Sequence, residues 1–185
     1  RLVARSSPPT SPPPSFSMKL NPFGRTGLHV SPLCLELPPA PASREKSFAL
    51  LDSFHHAGGN LIQLTLSTPD AGATMDDSAR AESHLREWWR HRFIPRRDLF
   101  LSLRLVLQPA SGNGRSASEQ IRAAYEATLR RLQTEHLDML FLEWTDALLP
   151  IEETFAVVAQ LIRDGHLRYG AVAGFANWRI ADLIA

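Results

Sequence analysis

The chain has a single cysteine, Cys34, in 185 residues, so no internal disulfide can form. That fits a reducing compartment. It has almost no net charge: 20 Lys and Arg against 19 Asp and Glu leave +1. A nucleic-acid reader normally carries a basic face or stripe, whereas the densest basic run here, Arg90 to Arg97, is broken by Phe93, Ile94 and Pro95 and reads as a solvated helix end. No apolar run approaches the roughly 20 residues of a membrane span. Metal-ligand spacing is also missing. His55 and His56 are neighbours on a helix and cannot face one ion together, so they read as surface residues, and His136 has no second ligand at a useful distance. These absences point away from a disulfide scaffold, a nucleic-acid partner, a membrane protein and a metal centre. A cytoplasmic protein is the expectation.

Residues 1–17, RLVARSSPPTSPPPSFS, lack both an acid and an apolar block. Without an apolar core they do not form a secretory signal, and they read as a disordered Pro/Ser-rich extension ahead of a unit spanning 18–185. The first residue is not methionine, which raises the expectation of a fragment or of upstream sequence before a start at Met18.

What is present is ordinary globular material, 44% hydrophobic and 21% charged, in a repeating order. The clearest stretch runs from Arg131 to Trp178. Leu137 to Trp144 is an apolar run of strand length with one late charge, Glu143. Pro150 opens a helix with Glu152 and Glu153 in its first turn and Ile151, Phe155, Val158 and Ile162 at helical spacing. Asp164 and Gly165 close it, and Leu167 to Phe175 supplies the next strand. Strand, helix, strand of this kind makes a right-handed parallel unit.

The same unit recurs upstream. A small hairpin around Gly24 to Gly27 leads to strand Pro32 to Leu37; Ser43 caps a helix ended by Gly58 and Gly59; strand Asn60 to Thr65 follows. A helix over Ala79 to Arg92 carries Leu85, Trp88 and Trp89, the tryptophans reading as one core and one half-exposed packing residue. Strand Leu99 to Leu107 precedes a capping box, Ser116 with Glu119, and a helix bearing Ile121, Tyr125, Leu129 and Leu132. Asn177 begins another helix. This alternation predicts an α/β protein with a parallel sheet. The turn after the first strand is PPAPAS, which offers no glycine-rich phosphate cradle, so a partial TIM (β/α)8 barrel, a β-hairpin plus about five βα units, is favoured over an open nucleotide-binding sheet.

In such a barrel the C-terminal strand ends line the site. They carry Gln63, Arg104 and Glu143, each isolated in an apolar run. Burying a lone charge is costly, so Arg104 and Glu143, on adjacent strands and at corresponding depth, are expected to pair, either as a buried staple or as the polar floor of a ligand pocket. Glu143 with Asp146 as an acid/base pair has no further support in the sequence.

Several segments resemble the aldo-keto reductase superfamily: FGRTGLHVSPL in the hairpin, HAGGNLIQLT, ARAESHLREWW, LRRLQTEHLDMLFLEW and PIEETFAVVAQLIRDGHLRYGAVAGF. The resemblance runs from Met18 to the end. It implies carbonyl reduction with NADP(H), in which a tyrosine donates the proton, a lysine paired with an aspartate lowers its pKa, and a histidine orients the carbonyl. At the corresponding positions this chain has Thr68 for the tyrosine, Arg104 for the lysine, Gln63 for the aspartate and Glu143 for the histidine. On the cofactor side, Ala173 and Gly174 replace a Ser-Asn pair that holds the nicotinamide carboxamide, and Glu36 stands where the family has glycine. All of these are substitutions. The resemblance therefore implies a barrel that takes a small-molecule carbonyl or nucleotide ligand but is impaired in the family's reaction. An active oxidoreductase with another proton donor, Glu143 or Tyr169, and an incomplete gene product are the alternatives.

Overall fold

The computed structural model describes residues 17–38, 43–66, 75–107, 116–144, 151–175, 178 and 181. A two-stranded antiparallel hairpin, β1 (Asn21–Pro22) with β2 (His29–Val30), precedes a parallel sheet of β3 (Cys34–Leu37), β4 (Leu61–Leu66), β5 (Phe100–Leu107), β6 (Leu137–Trp144) and β7 (Leu167–Ala173). Helices α1 (Arg44–His56), α2 (Met75–His91), α3 (Ala117–Leu132) and α4 (Ile151–Arg163) connect successive strands. The strands lie side by side in chain order, β3-β4-β5-β6-β7. An unbroken sequential order of parallel strands is the arrangement of a barrel wall, where a doubly wound sheet would reverse.

One face of this sheet packs on the helices and the other faces the barrel interior. On the helix side Ile62 and Leu64 of β4, Leu101, Leu103 and Leu105 of β5, and Leu140 and Leu142 of β6 meet Leu51, Leu85, Trp88, Ile121 and Leu161 in one continuous core. Each such enclosed side chain contributes about 1.5–3 kcal/mol of transfer free energy. The approach is closest at Gly170 in β7. A Cβ there would lie 2.6 Å from a Val158 methyl, so glycine is what lets α4 settle onto the strand. On the interior side the hairpin closes the lower end. Phe23 meets Phe100 edge-on at 5.4 Å and Tyr169 at 6.5 Å, with Val30 and Met139 completing the cluster.

Helix boundaries follow local chemistry. The Ser43 hydroxyl accepts from Lys46 N at the start of α1, and Gly58, at φ +85°, turns the chain out of it. Ser116 and Glu119 form the full reciprocal capping box of α3. The described start of α2 is Met75, four residues earlier than the apolar pattern predicts, because its first turn, MDDS, is polar.

Several side chains differ from expectation. The buried stripe of α4 is Thr154, Val157, Val158 and Leu161, while Ile162 is 41% exposed: the stripe drifts around the helix, which a simple four-residue repeat misses. Trp88 and Trp89 are both buried. Trp88 donates its indole N–H to Asp52 at 2.9 Å. His55 is half-buried rather than a free surface residue. Its ring stands edge-on to Trp88 at 5.7 Å, and its Nδ1 is buried without a hydrogen-bond partner among the described residues.

The basic run is likewise not simply solvated. Arg92 pairs with Asp52 at 2.5 Å, and Arg96 reaches Asp138 at 2.8 Å. Asp138, at the start of β6, also accepts from Leu101 N at 2.9 Å and forms an ion pair with Arg168 at 3.1 Å. Arg96 in turn donates to the carbonyls of Leu99 and His136. This network sews together the lower ends of β5, β6 and β7. Between α2 and α3 the buried Glu82 accepts from Thr128 at 2.7 Å and from Arg131. The Tyr125 hydroxyl donates to His166 O at 2.6 Å, and burial holds that phenol well above its ordinary pKa, as a neutral structural donor.

Candidate functional site

The upper ends of the parallel strands bring the expected polar residues onto one face. Parallel register places Glu36 opposite Gln63 and Gln63 opposite Ser102; one pleat higher, Thr65, Arg104, Phe141 and Ala171 are neighbours; above them stand Val106, Glu143 and Ala173. Period two puts all of these on the interior face. Thr68 and Asp146 lie outside the described residues.

Arg104 and Glu143 do pair. The Arg104 Nε donates to Glu143 Oε2 at 2.6 Å and an Nη lies 2.5 Å from the same oxygen. The expectation of equal depth is corrected, however. Arg104 is in register with Phe141, so Glu143 stands one pleat nearer the mouth and the arginine reaches diagonally upward. The pair is also not buried: side-chain exposures are 35% and 27%. It sits at the surface of the mouth and covers what lies beneath.

Beneath is Ser102, 1% exposed, with an Oγ that has no hydrogen-bond partner in the described structure. On the sheet edge the Thr65 hydroxyl donates to Glu36 Oε1 at 2.6 Å. Gln63 stands between that contact and Ser102 in register. Cys34, two residues before Glu36, is held in its thiol form at neutral pH. Desolvation of its sulfur, assisted by the Glu36 carboxylate, pushes the thiol up to about 11, although the residue as a whole is exposed.

Ala173 ends β7 and Gly174 follows at φ +73°, with open space where a Cβ would stand. Neither residue offers a side-chain donor or acceptor. By the resemblance these two positions would hold the nicotinamide carboxamide of NADP(H), and at them the described residues do not fit that group. The carboxamide would meet no side-chain partner at Ala173 and Gly174, while the Arg104 guanidinium is engaged by Glu143 and the Glu36 carboxylate by the Thr65 hydroxyl. Among the described residues no cluster of His, Cys, Asp or Glu could hold a metal ion. Nor is any described helix long and apolar enough to cross a membrane.

Tyr169 is an interior-face residue too, but it points the wrong way for chemistry at the mouth. It is in register with Met139, in the lower layer, and its hydroxyl reaches toward Thr26 O of the hairpin at 3.4 Å. Sequence reasoning did not single out Asp138, Glu82 or the buried hydroxyl of Ser102. Asp138 left a signal as an acid at the second position of an apolar strand, and Ser102 as one of the two polar residues in the apolar run of β5.

Comparison with known proteins bears on the same scaffold. A sequence model described as the aldo/keto reductase family matches residues 35–184. The chain is similar to norsolorinic acid reductase of Emericella nidulans, 27% identical over 95% of this chain and 48% of that protein. An aryl-alcohol dehydrogenase of Pestalotiopsis microspora is 25% identical over 92% of this chain and 46% of its own length. The chain thus spans about half the length of the curated relatives it matches. Among solved structures, the holo form of an aldo-keto reductase from Bacillus halodurans superposes with a TM-score of 0.69 at 22% identity, covering 90% of this chain and 54% of that one.

Proposed function

We propose, from the premise that this chain belongs to the aldo/keto reductase family, that it keeps the family's scaffold without its carbonyl-reducing chemistry. The observation that carries this reading is the ion pair between Arg104 and Glu143, at the positions that by resemblance belong to lysine and histidine. Reduction of a carbonyl needs an acid close to the developing alkoxide and positive charge to stabilise that acid's conjugate base. Here the cation is engaged by a carboxylate. Glu143 accepts two guanidinium contacts at one oxygen, and the oxygen of a bound carbonyl placed against it would meet negative charge. Arginine, unlike lysine, does not shuttle a proton at neutral pH.

The family generally uses NADP(H), and the relatives named above are a norsolorinic acid reductase and an aryl-alcohol dehydrogenase. By that likeness, what the mouth retains is recognition of a small aryl carbonyl or alcohol, and the reading is of a binding or regulatory protein. The alternative, an oxidoreductase with a substitute proton donor, loses support at both of its candidates: Tyr169 is turned toward the hairpin and Glu143 is bound to Arg104.

The test is carbonyl-dependent oxidation of NADPH over a panel of aryl aldehydes and ketones, alongside a titration of NADPH followed by tryptophan fluorescence. The expected result is no turnover. NADPH binding of about 1 µM or tighter, roughly −8 kcal/mol, together with turnover that is abolished by Glu143→Ala, would overturn the proposal and make Glu143 the donor.

A further inference from the structure

On the helical side of the molecule, away from the mouth, a groove of about 520 Å³ lies between the end of α2 and the start of α1. Arg44, Arg86, Arg90 and His91 line it with a single acid, Glu87, and Phe93 stands on its rim. Glu87 is shared, at 2.8 Å from Arg44 and 3.8 Å from Arg86. Arg90 makes no ion pair among the described residues and is exposed. The groove therefore holds more positive charge than its own acid can balance.

Helix dipoles do not account for the cluster. Arg90 and His91 are in the last turn of α2, where a cation is favourable, but Arg44 is the first residue of α1, at the positive end, where it is not. Phe93 is anomalous in a second way. It takes the left-handed conformation, φ 55°, in the turn that ends α2, with its N–H bonded to Arg90 O and that of Ile94 to Trp89 O. Glycine or asparagine is usual there, and a bulky side chain is strained. The ring is 90% exposed, so nothing within the described chain offsets the strain.

We propose that this groove is a docking site for a short acidic segment of another protein, whose carboxylates engage Arg90 and Arg86 and whose apolar side chain covers Phe93. Charge complementarity selects the occupant. The groove sets three arginines against one acid, Glu87, whereas other basic residues stand beside acids, Arg97 by Asp98 and Arg130 by Glu126. A nucleic acid would require a longer basic track.

The test uses the full chain and a fluorescein-labelled, glutamate-rich peptide with one central leucine, followed by anisotropy. Its glutamine counterpart, an RNA oligonucleotide of equal length and inorganic phosphate are run in parallel. Binding on the order of 100 µM or tighter is expected for the acidic peptide alone, weakened about tenfold by Arg90→Glu. Phe93→Gly is the sharper variant: it should weaken binding while raising the thermal midpoint, since glycine relieves the left-handed turn. A role confined to folding would not move those two readouts in opposite directions. The proposal is overturned if the acidic peptide fails to bind, if the variants bind it unchanged, or if Phe93→Gly lowers the midpoint. Equal binding of the glutamine peptide, tighter binding of the RNA, or displacement by millimolar phosphate would overturn it as well.

Discussion

At the lower end of the sheet Asp138 is 2% exposed in its side chain, accepts from Arg96 and a backbone N–H, and pairs with Arg168; at the upper end Glu143 is 27% exposed and is held by Arg104, itself 35% exposed. Both are acids set in apolar strands. Asp138 is tied into three strand ends and to the turn carrying Arg96, whereas the upper pair joins two neighbouring strands across one pleat. In barrels of this kind the lower face serves stability and the upper face chemistry. The lower acid is held by groups from several elements and the upper acid by one more exposed ion pair, which on the reading proposed above stands where the family's proton-transfer groups would be.

The comparison is broken most easily at Asp138. Replacing it with alanine leaves Arg96 with no carboxylate partner at a mostly buried site and Leu101 N without its acceptor, and removal of one partner of a buried pair costs about 3–5 kcal/mol. Urea denaturation should show a loss of that size, or a chain that no longer folds, with Asp138→Asn milder because the amide oxygen still accepts. A loss below about 1 kcal/mol would mean that the lower network is no stronger than a surface pair.

At the mouth the expected effects are smaller. Arg104→Ala and Glu143→Ala should each cost no more than about 1 kcal/mol, since a pair this exposed is screened by water and salt. A double-mutant cycle should give a coupling of the same modest size that shrinks as salt is added. A coupling several times larger, unaffected by salt, would turn the mouth into a second structural clamp and remove the contrast with Asp138.

The same contrast explains what was legible in the sequence. Strand and helix order could be read because each element buries one apolar face, and the caps at Ser43 and Ser116 mark helix starts by chemistry that is local in sequence. The pairing of Arg104 with Glu143 could be read because two lone charges in neighbouring apolar strands had few other partners. Asp138 with Arg96 and Glu82 with Arg131 were not legible. Their partners come from separate elements, and only the folded geometry shows that an arginine in a surface-like basic run turns inward. His55 was misjudged for a related reason: the tryptophan that covers it is on the next helix. Depth within the mouth failed as well, because the one-pleat offset between Arg104 and Glu143 is set by strand register, which no single strand encodes.

The smallest expected effects are in the pH dependence, where two residues outside the strands sharpen the contrast further. Asp52 on α1 has its carboxyl pulled down to about 2 by the hydrogen bond from Arg92, with help from the Trp88 indole. Its folded-state value is below the unfolded one, 3.8, so its contribution is present above that pH and is lost as pH falls toward 2. His136, just before β6, is lowered mainly by burial and then by the charge of Arg96. Folding favours its neutral form, so that contribution is present above the unfolded value of 6.5 and fades as the solution becomes more acid. A stability profile from pH 8 to 2 should therefore fall in two separate windows. His136→Gln should remove the upper one and Asp52→Asn should flatten part of the lower. Salt separates them further. The Arg92 guanidinium is 44% exposed, so the Asp52 contribution should weaken on going from 0.05 to about 1 M salt, while the His136 contribution, set first by burial, should persist. If both windows respond equally to salt, desolvation is not what holds His136 neutral, and the lower end of the sheet is more open to water than the enclosure of Asp138 implies.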